Sequence, residues 1–358
     1  MIVVTAWPVE DRQTGCYIIR ALEVLGHTVH NVDPKVMHRA ALACGDSVED
    51  TITRALVTTI DAHRPDLVFV CRQSWFTAVA ERYRHDIPVV GWNVDVRYHP
   101  ETAWSNLHPL IRACSHWFTI AGGSIPWYRK VLNSNSYWLS EGCDPQVHRP
   151  PTTGEMAQAT STGMDLYYGQ CEVSFAGSLD PDHPGPPNRM DLLRVVHEQF
   201  KLRVWGPSTR YLVNEAHSLM CHLVPINLGH SGWPLVALSQ SARDYRVMAA
   251  GGFLLTNHVL DYERLFVPGK EFDTYRTTEE ACEKIRFYLD HSDDRNRIRV
   301  QGQTAVQQHH TFLHRMQRML HLIGGGRDSY EDDYRRWEPG VGEYPHKLDR
   351  VRSFGTPA

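Results

Sequence analysis

Residues 241–256 read SARDYRVMAAGGFLLT, and the fold turns on how they are read. Ser-Ala-Arg-Asp is a polar start, Tyr245, Val247, Met248 and Ala249 are apolar or small, Gly251-Gly252 is a stop, and Phe253-Leu254-Leu255 is an apolar run. The pattern predicts a short helix, a glycine turn and a buried strand. Ser241 is the expected N-cap, because its hydroxyl accepts from a free amide of the first turn. The glycines tolerate the left-handed stop that side chains resist. The run after them is short enough for an interior parallel strand. Such a helix start gathers unpaired N–H groups and the positive end of the helix dipole, and Arg243 adds a fixed charge with a fork of donors. These residues alone leave two readings open: a grip on phosphate by Ser241 and Arg243, or an ordinary capped helix with a surface arginine.

Outward from this stretch the chain alternates strand and helix. Before it, Val173–Ala176 is a strand followed by Gly177-Ser178 and a proline-rich loop. Arg189–Phe200 is an amphipathic helix, Leu202–Trp205 a strand ending in Gly206, and Pro225–Trp233 a short strand running into a loop around His230. After it, Phe272–Tyr275 is a strand, and helices are expected over 278–290, 294–310 and 312–323. Thr277 and Glu280 have the spacing of a capping box. The first half alternates in the same way. Ile2–Ala6 and Thr28–Val32 are strands around a helix that begins near Gly15, and further strands are expected at 66–71, 87–92, 117–120 and 137–139. Gly15 is either a close backbone approach to a ligand or the turn into the helix; a G-x-G-x-x-G fingerprint is absent. Asp95 and His99 follow the end of the Ile87–Trp92 strand, where parallel sheets present their chemistry. Asp95 could orient a substrate hydroxyl and His99 could shuttle a proton, or the two cap a turn and face solvent. Trp7, Trp75, Trp92 and Trp233 fall at strand ends or loops and are candidates to line a cleft.

The expected organisation is a first α/β domain over 1–145, a linker and flexible insertion over 146–170, a second α/β domain over 171–323 and an irregular tail over 324–358. The chain has 358 residues, 42% hydrophobic and 22% charged, with a net charge of -4, so no global basic field points to nucleic acid. Eight cysteines form no C-x-x-C pair and there is no signal peptide, which together suggest reduced thiols in the cytoplasm. No apolar run reaches the roughly 18 residues of a membrane span. Walker, G-x-S-x-G and H-E-x-x-H motifs are absent, and His309-His310 cannot chelate a metal alone on a helix.

Several motifs together resemble the CgeB-like, spore maturation protein type glycosyltransferases, a branch of the GT-B superfamily. They are SFAGSL (174–179) with Asn188-Arg189, VWG (204–206), INLGHSGW (226–233), the 241–256 stretch, LFVPGKEFDTY (265–275), and the junction LSEGCDPQVHRP (139–150). The resemblance covers most of residues 130–322. It implies a GT-B fold: two facing Rossmann-like domains with a cleft between them, acceptor on the first and nucleotide-sugar donor on the second. It implies a transferase that needs no cofactor or bound metal, with the donor, UDP-linked in the leading case, as co-substrate. Gly177 and Ser178 would lie against the diphosphate, with Arg243 on phosphate and Arg189 assisting. Trp205, Gly206 and His230 would border the nucleoside or sugar. Tyr245 would belong to the donor site, and Gly251 and Gly252 would let backbone approach the donor. Relatives commonly carry a glutamate where Arg246 stands, paired with one eight positions earlier, where this chain has Leu238.

The acceptor is left open among small molecules, glycans, proteins and a modified DNA base. The last would need a basic face, for which Arg12, Arg20, Arg72, Arg97 and Arg129 are available. A nucleotide-sugar epimerase and a non-catalytic nucleotide- or glycan-binding protein are the alternatives.

Overall fold

The computed structural model describes residues 1–9, 14–96, 104–179, 185–206 and 212–336. Its eleven named strands form two parallel sheets. In the first, β1 (Ile2–Ala6), β2 (Thr28–Asn31), β3 (Leu67–Cys71), β4 (Val89–Asn93), β5 (His116–Thr119) and β6 (Ser136–Trp138) lie in the order β2-β1-β3-β4-β5-β6. In the second, β7 (Val173–Ala176), β8 (Leu202–Trp205), β9 (Ile226–Leu228), β10 (Leu254–Asn257) and β11 (Asp273–Tyr275) lie in the order β11-β10-β9-β7-β8. Both sheets begin with the order 2-1-3, so each has its switch point between its first and third strands. Ligands of open α/β sheets sit outside the carboxyl ends of the strands at such a point. The β3 and β4 strands are buried along their whole length, which is why they read as unbroken apolar runs.

The sequence-level alternation holds for the strands of both sheets, and three segments depart from expectation. Residues Thr152–Gly169, expected to be a flexible insertion, form the helices Thr153–Ser161 and Met164–Gly169. The first begins in a full capping box between Thr152 and Glu155, and Tyr168 and Cys171 enter the core beside Trp205. The helix Pro34–Cys44 had gone unread; Asp33 caps it, accepting from the amides of Lys35 and Val36, and Gly45 closes it at φ 73°. The start of the tail is docked, not irregular. Glu331 accepts from Arg129 at 2.7 Å, Asp333 from Arg264 at 2.7 Å, and Tyr330 lies 4.6 Å from Trp138.

The two sheets are tied together at the hinge. The helix Phe312–Ile323, which follows the second sheet in sequence, packs on the first: Phe312, Met316, Met319 and Leu322 share the core of Trp92 and Tyr17. The His310 carbonyl accepts from the Cys143 amide at 3.0 Å, and the Phe312 amide donates to the Cys143 carbonyl at 2.9 Å. Leu238 is fully buried with Ile125 and Trp138 at this seam, at φ 55°. The Leu238 carbonyl accepts from the Trp138 indole at 3.2 Å. A carboxylate at this position would be buried against Ile125 and Trp138, at the cost of its hydration. All eight cysteines are unbridged. Among the described residues no helix is long and apolar enough to cross a membrane.

Candidate active site

The 241–256 stretch folds as its sequence predicts. Ser241 is extended (φ -79°, ψ 147°), its Oγ accepts from the Arg243 amide at 3.3 Å, the helix runs Ala242–Ala249, and Gly251 turns at φ 72° into β10. What the sequence does not show is where the helix points. Its N-terminus faces the carboxyl ends of β7 and β9, the switch point of the second sheet, and looks across at the first.

Three adjoining cavities occupy this cleft. The largest, about 380 Å³, has Ser178, His230, Ser241 and Arg243 on one wall and Val94, Asp95, Ile120 and Glu141 on the other. The next, about 220 Å³, shares Ser241 and Arg243 and is closed by Gly177, Trp205, Gly206 and His217. A third, about 130 Å³, shares Arg246 and His217 with the second and reaches Tyr17, His148 and Asn214.

Arg243 is half-buried between the first two. Its Nε donates to the Ala176 carbonyl, its Nη1 donates to the His230 carbonyl at 3.3 Å, and its guanidinium lies over Phe175. It makes no ion pair among the described residues, so its charge faces the cleft uncompensated by a contact. Burial lowers its pKa from the usual arginine value, against the opposing pull of Asp244. Arg189 lies deeper, 4% exposed. It donates to the carbonyls of Ser178 and His230, each at 3.0 Å, and through Nε to His230 Nδ1 at 3.4 Å. His230 Nε2 is 2.7 Å from the Pro187 carbonyl and must donate to it, which leaves Nδ1 as the acceptor for Arg189. Both ring nitrogens of His230 are therefore occupied. Arg189 and His230 hold the two strand-end loops in register, and, of the two arginines, the charge that faces the cleft is that of Arg243.

Two glycines owe their identity to this packing. A Cβ on Gly177 would meet Arg243 Nη2 at 2.3 Å, and one on Gly206 would meet the Gly177 carbonyl at 2.1 Å. Gly206→Ala must therefore push backbone against backbone. We expect it to cost about 1–3 kcal/mol of stability, read by urea unfolding. A wild-type value would show that these loops yield freely.

The structure thus brings together Asp95, Gly177, Ser178, Arg189, Trp205, Gly206, His230, Ser241 and Arg243. His99, Arg97 and Arg12 lie outside the described residues. Four expected donor contacts fall elsewhere. Tyr245 is wholly buried, its hydroxyl accepting from Gln240 and its ring against Phe266 and His310. Gly251 and Gly252 stand at the far end of the helix; a Cβ on Gly252 would meet the Cys221 carbonyl at 2.6 Å, so close packing on the neighbouring helix explains it. Gly15 is required where its helix presses on the first loop, 2.2 Å from the Pro8 carbonyl to a built Cβ. Trp7 and Trp92 are core, Trp75 packs at its edge, and Trp233 lines the largest of the three cleft cavities.

Sequence reading missed Glu141, His217 and Tyr17. In the sequence Glu141 stands out only as part of the junction LSEGCDPQVHRP (139–150). Its carboxylate accepts from Thr14 Oγ1 at 2.8 Å and lies 3.9 Å from Arg246 Nη2. Three of the arginines considered for a basic face are neutralised, Arg20 by Asp144, Arg72 by Asp95 and Arg129 by Glu331. Among the described residues no group of three or more His, Cys, Asp or Glu side chains is arranged to hold a metal ion.

Comparison with known proteins agrees with this geometry. The sequence model of a family described as "Glycosyl transferase-like" matches residues 189–321. No curated protein matches the sequence. Among solved structures, the chain is similar to Anabaena HepE in complex with UDP-glucose, with a TM-score of 0.59 and 11% identity over 90% of this chain and 99% of that one. It is similar to sucrose-phosphate synthase from Thermosynechococcus elongatus, with a TM-score of 0.62 and 9% identity over 90% and 99%. It is similar to a glycosyltransferase from Rickettsia africae, with a TM-score of 0.60 and 9% identity over 90% and 98%. These likenesses show the fold: GT-B, two facing Rossmann-like domains. The second of them carries a glycosyltransferase-like sequence.

Proposed function

We propose that the protein is a glycosyltransferase of the CgeB-like branch, moving a sugar from a nucleoside diphosphate sugar, UDP-linked in the first instance, to a hydroxyl acceptor without a bound metal. One arrangement carries the reading: the guanidinium of Arg243, which pairs with no acid among the described residues, and the capped start of the Ala242–Ala249 helix converge at the second sheet's switch point, across a 380 Å³ cavity from Asp95. Helix amides and arginine supply a preformed counter-charge for a departing diphosphate, the kind of electrostatic stabilisation that carries most of the rate in group transfer. Gly177 and Ser178 complete the phosphate cradle, Trp205 and Gly206 border the nucleoside, and Asp95 orients the acceptor. The paired state of Arg20, Arg72 and Arg129 favours a small-molecule or glycan acceptor over a DNA base. Occupation of both His230 nitrogens argues against an epimerase that shuttles protons through it.

Thermal unfolding with UDP, UDP-glucose and the GDP, ADP and dTDP sugars tests this. Saturation at about 100 times Kd stabilises the fold by about 2.7 kcal/mol, and we expect a rise of several degrees with the uridine ligands. No shift with any of them would leave a scaffold without its donor site.

A further inference from the structure

The 130 Å³ cavity takes no part in the proposed transfer. It lies where the two domains meet. Tyr17 comes from the helix Thr14–Val24, His148 from the junction, Asn214 and His217 from the helix Asn214–Leu223, and Arg246 from the helix Ala242–Ala249. Its lining holds no carboxylate among the described residues. Its volume is several times the ~30 Å³ that one water occupies in the liquid, so a tetrahedral oxyanion fits.

The polar groups gathered here are donors. His148 is 2% exposed, and its Nδ1 accepts from the Asp144 amide at 3.0 Å. Burial, with the charge of Arg246, lowers its pKa and keeps the ring neutral. The ring proton therefore sits on Nε2, which has no hydrogen-bond partner among the described residues. The Tyr17 hydroxyl donates to Asn214 Oδ1 at 3.3 Å, which leaves the Asn214 side-chain amide hydrogens to give. Arg246 Nε is enclosed without a partner. The acid that faces Arg246, Glu141, stands 3.9 Å from Nη2, too far for a hydrogen bond, and lines the 380 Å³ cavity instead. No side chain caps the Asn214–Leu223 helix, whose first residues line the cavity, and the positive end of its dipole adds to the field there. A buried water would need acceptors for its own hydrogens. An anion needs only donors and positive charge, and both are present.

We propose that this cavity is a second anion site, built for one phosphate group and separate from the diphosphate site at Arg243. Arg246 is its charged ligand, and His148 Nε2 and the Asn214 side-chain amide are its donors. The site does not depend on the transferase reading. The cavity shares Arg246 and His217 with the 220 Å³ cavity beside it. The phosphate therefore arrives in one of two ways: as a substituent at the nucleoside end of a ligand lying next door, or as the free ion.

The test titrates inorganic phosphate into the full chain by calorimetry, in chloride buffer of fixed ionic strength at pH 7.5. Wild type and Arg243→Ala should both take up phosphate, because Arg243 does not line this cavity. Asn214→Asp should weaken it about tenfold or more, since a carboxylate repels the anion and the amide donor is gone. Aspartate keeps the oxygen that accepts from Tyr17 and suits a helix start, so the unliganded midpoint should stay near that of wild type. Arg246→Gln should weaken phosphate at least as much. No saturable uptake by wild type below about 20 mM would overturn the proposal. So would uptake that Arg243→Ala removes, or that Asn214→Asp leaves within about threefold.

Uridine 5′-phosphate and uridine 3′,5′-bisphosphate then separate the two sources. A bisphosphate held about tenfold more tightly than the monophosphate, with the gain lost in Asn214→Asp, supports the site and assigns it to the nucleotide. Equal affinities, with inorganic phosphate still bound beside the monophosphate, support it and assign it to the free ion. Equal affinities with phosphate expelled by the monophosphate would overturn it. Phosphate uptake by a chain that shows no thermal shift with UDP would sink the transferase reading and leave this site standing.

Discussion

Arg243→Ala should abolish the thermal shift with UDP and weaken UDP binding by two orders of magnitude or more. The expectation comes from how the guanidinium is held. Nε and Nη1 are tied to the Ala176 and His230 carbonyls, and Phe175 lies beneath, so the remaining donors are fixed before any ligand arrives. A charge-assisted hydrogen bond to a preorganised, half-buried group contributes about 1.5–3 kcal/mol, and two such bonds to a phosphate account for the predicted loss. Arg243→Lys should recover little. An ammonium keeps the charge but cannot grip two carbonyls and still present a fork to the anion. The fold should tolerate the alanine variant, because the His230 carbonyl keeps its bond from Arg189. Calorimetric titration with UDP decides the matter: affinity within threefold of wild type would remove Arg243 from the phosphate site.

The second large effect concerns acid. His148, His217 and His310 are held neutral in the fold. Burial lowers all three, with Arg246 adding to His148 and His217 and Arg315 adding to His310; His217 is pushed down to about 3 and His310 to about 2. Hydrogen bonding agrees. His310 Nδ1 is 2.9 Å from Arg315 Nη2 and must accept from it, and His148 Nδ1 accepts from the Asp144 amide at 3.0 Å. A depressed folded pKa means that the unfolded chain binds more protons than the native one below the unfolded value of about 6.5. Stability is therefore fully present above that pH and drains away as pH falls towards the folded values. At pH 5 each histidine has cost about 2 kcal/mol, and three together rival the whole stability of an ordinary domain, about 5–15 kcal/mol.

Asp244 works the other way. It is fully buried and receives the Tyr262 hydroxyl; burial raises its pKa to about 6, so its charged form is a burden relieved by acid. It offsets only part of the histidine loss. Urea unfolding at pH 7.5, 6.5 and 5.5 should give a steep fall, with a net uptake of protons on unfolding near pH 5.5. His310→Gln should flatten the slope by about one. A stability that is level between pH 7.5 and 5.5 would contradict the neutral assignments.

Much of this could be read from the chain alone because the signals were local. Short β-branched runs, glycine stops and the Ser241 cap are decided by neighbours within one turn, so both sheets and the Ala242–Ala249 helix appeared where expected. Two local signals were present and passed over: Asp33-Pro34 at a helix start, and Thr152 with Glu155, a capping box inside a segment whose polar composition suggested disorder. The cavity-lining positions of the second domain, too, followed from motif order, since Gly177, Ser178, Trp205, Gly206, His230 and Arg243 stand at or just past strand ends or at a helix start.

What the sequence could not decide was anything that depends on two distant segments meeting. Tyr245 is two residues from Arg243 and equally conspicuous, and the seating of the helix puts it in the core and Arg243 in the cleft. Glu141 looks like one residue of a domain junction, and the facing of the two sheets makes it a cavity wall opposite Arg243. Arg246 stood out as an arginine in place of a glutamate. The hinge brings an acid, Glu141, from more than a hundred residues earlier to 3.9 Å from its guanidinium. The chain by itself determined two parallel α/β sheets and a capped, arginine-bearing helix, because helix, strand and cap formation are short-range. The tertiary structure decided which side chains share the cleft and with what charge, because burial and pairing across domains are properties of the packed whole.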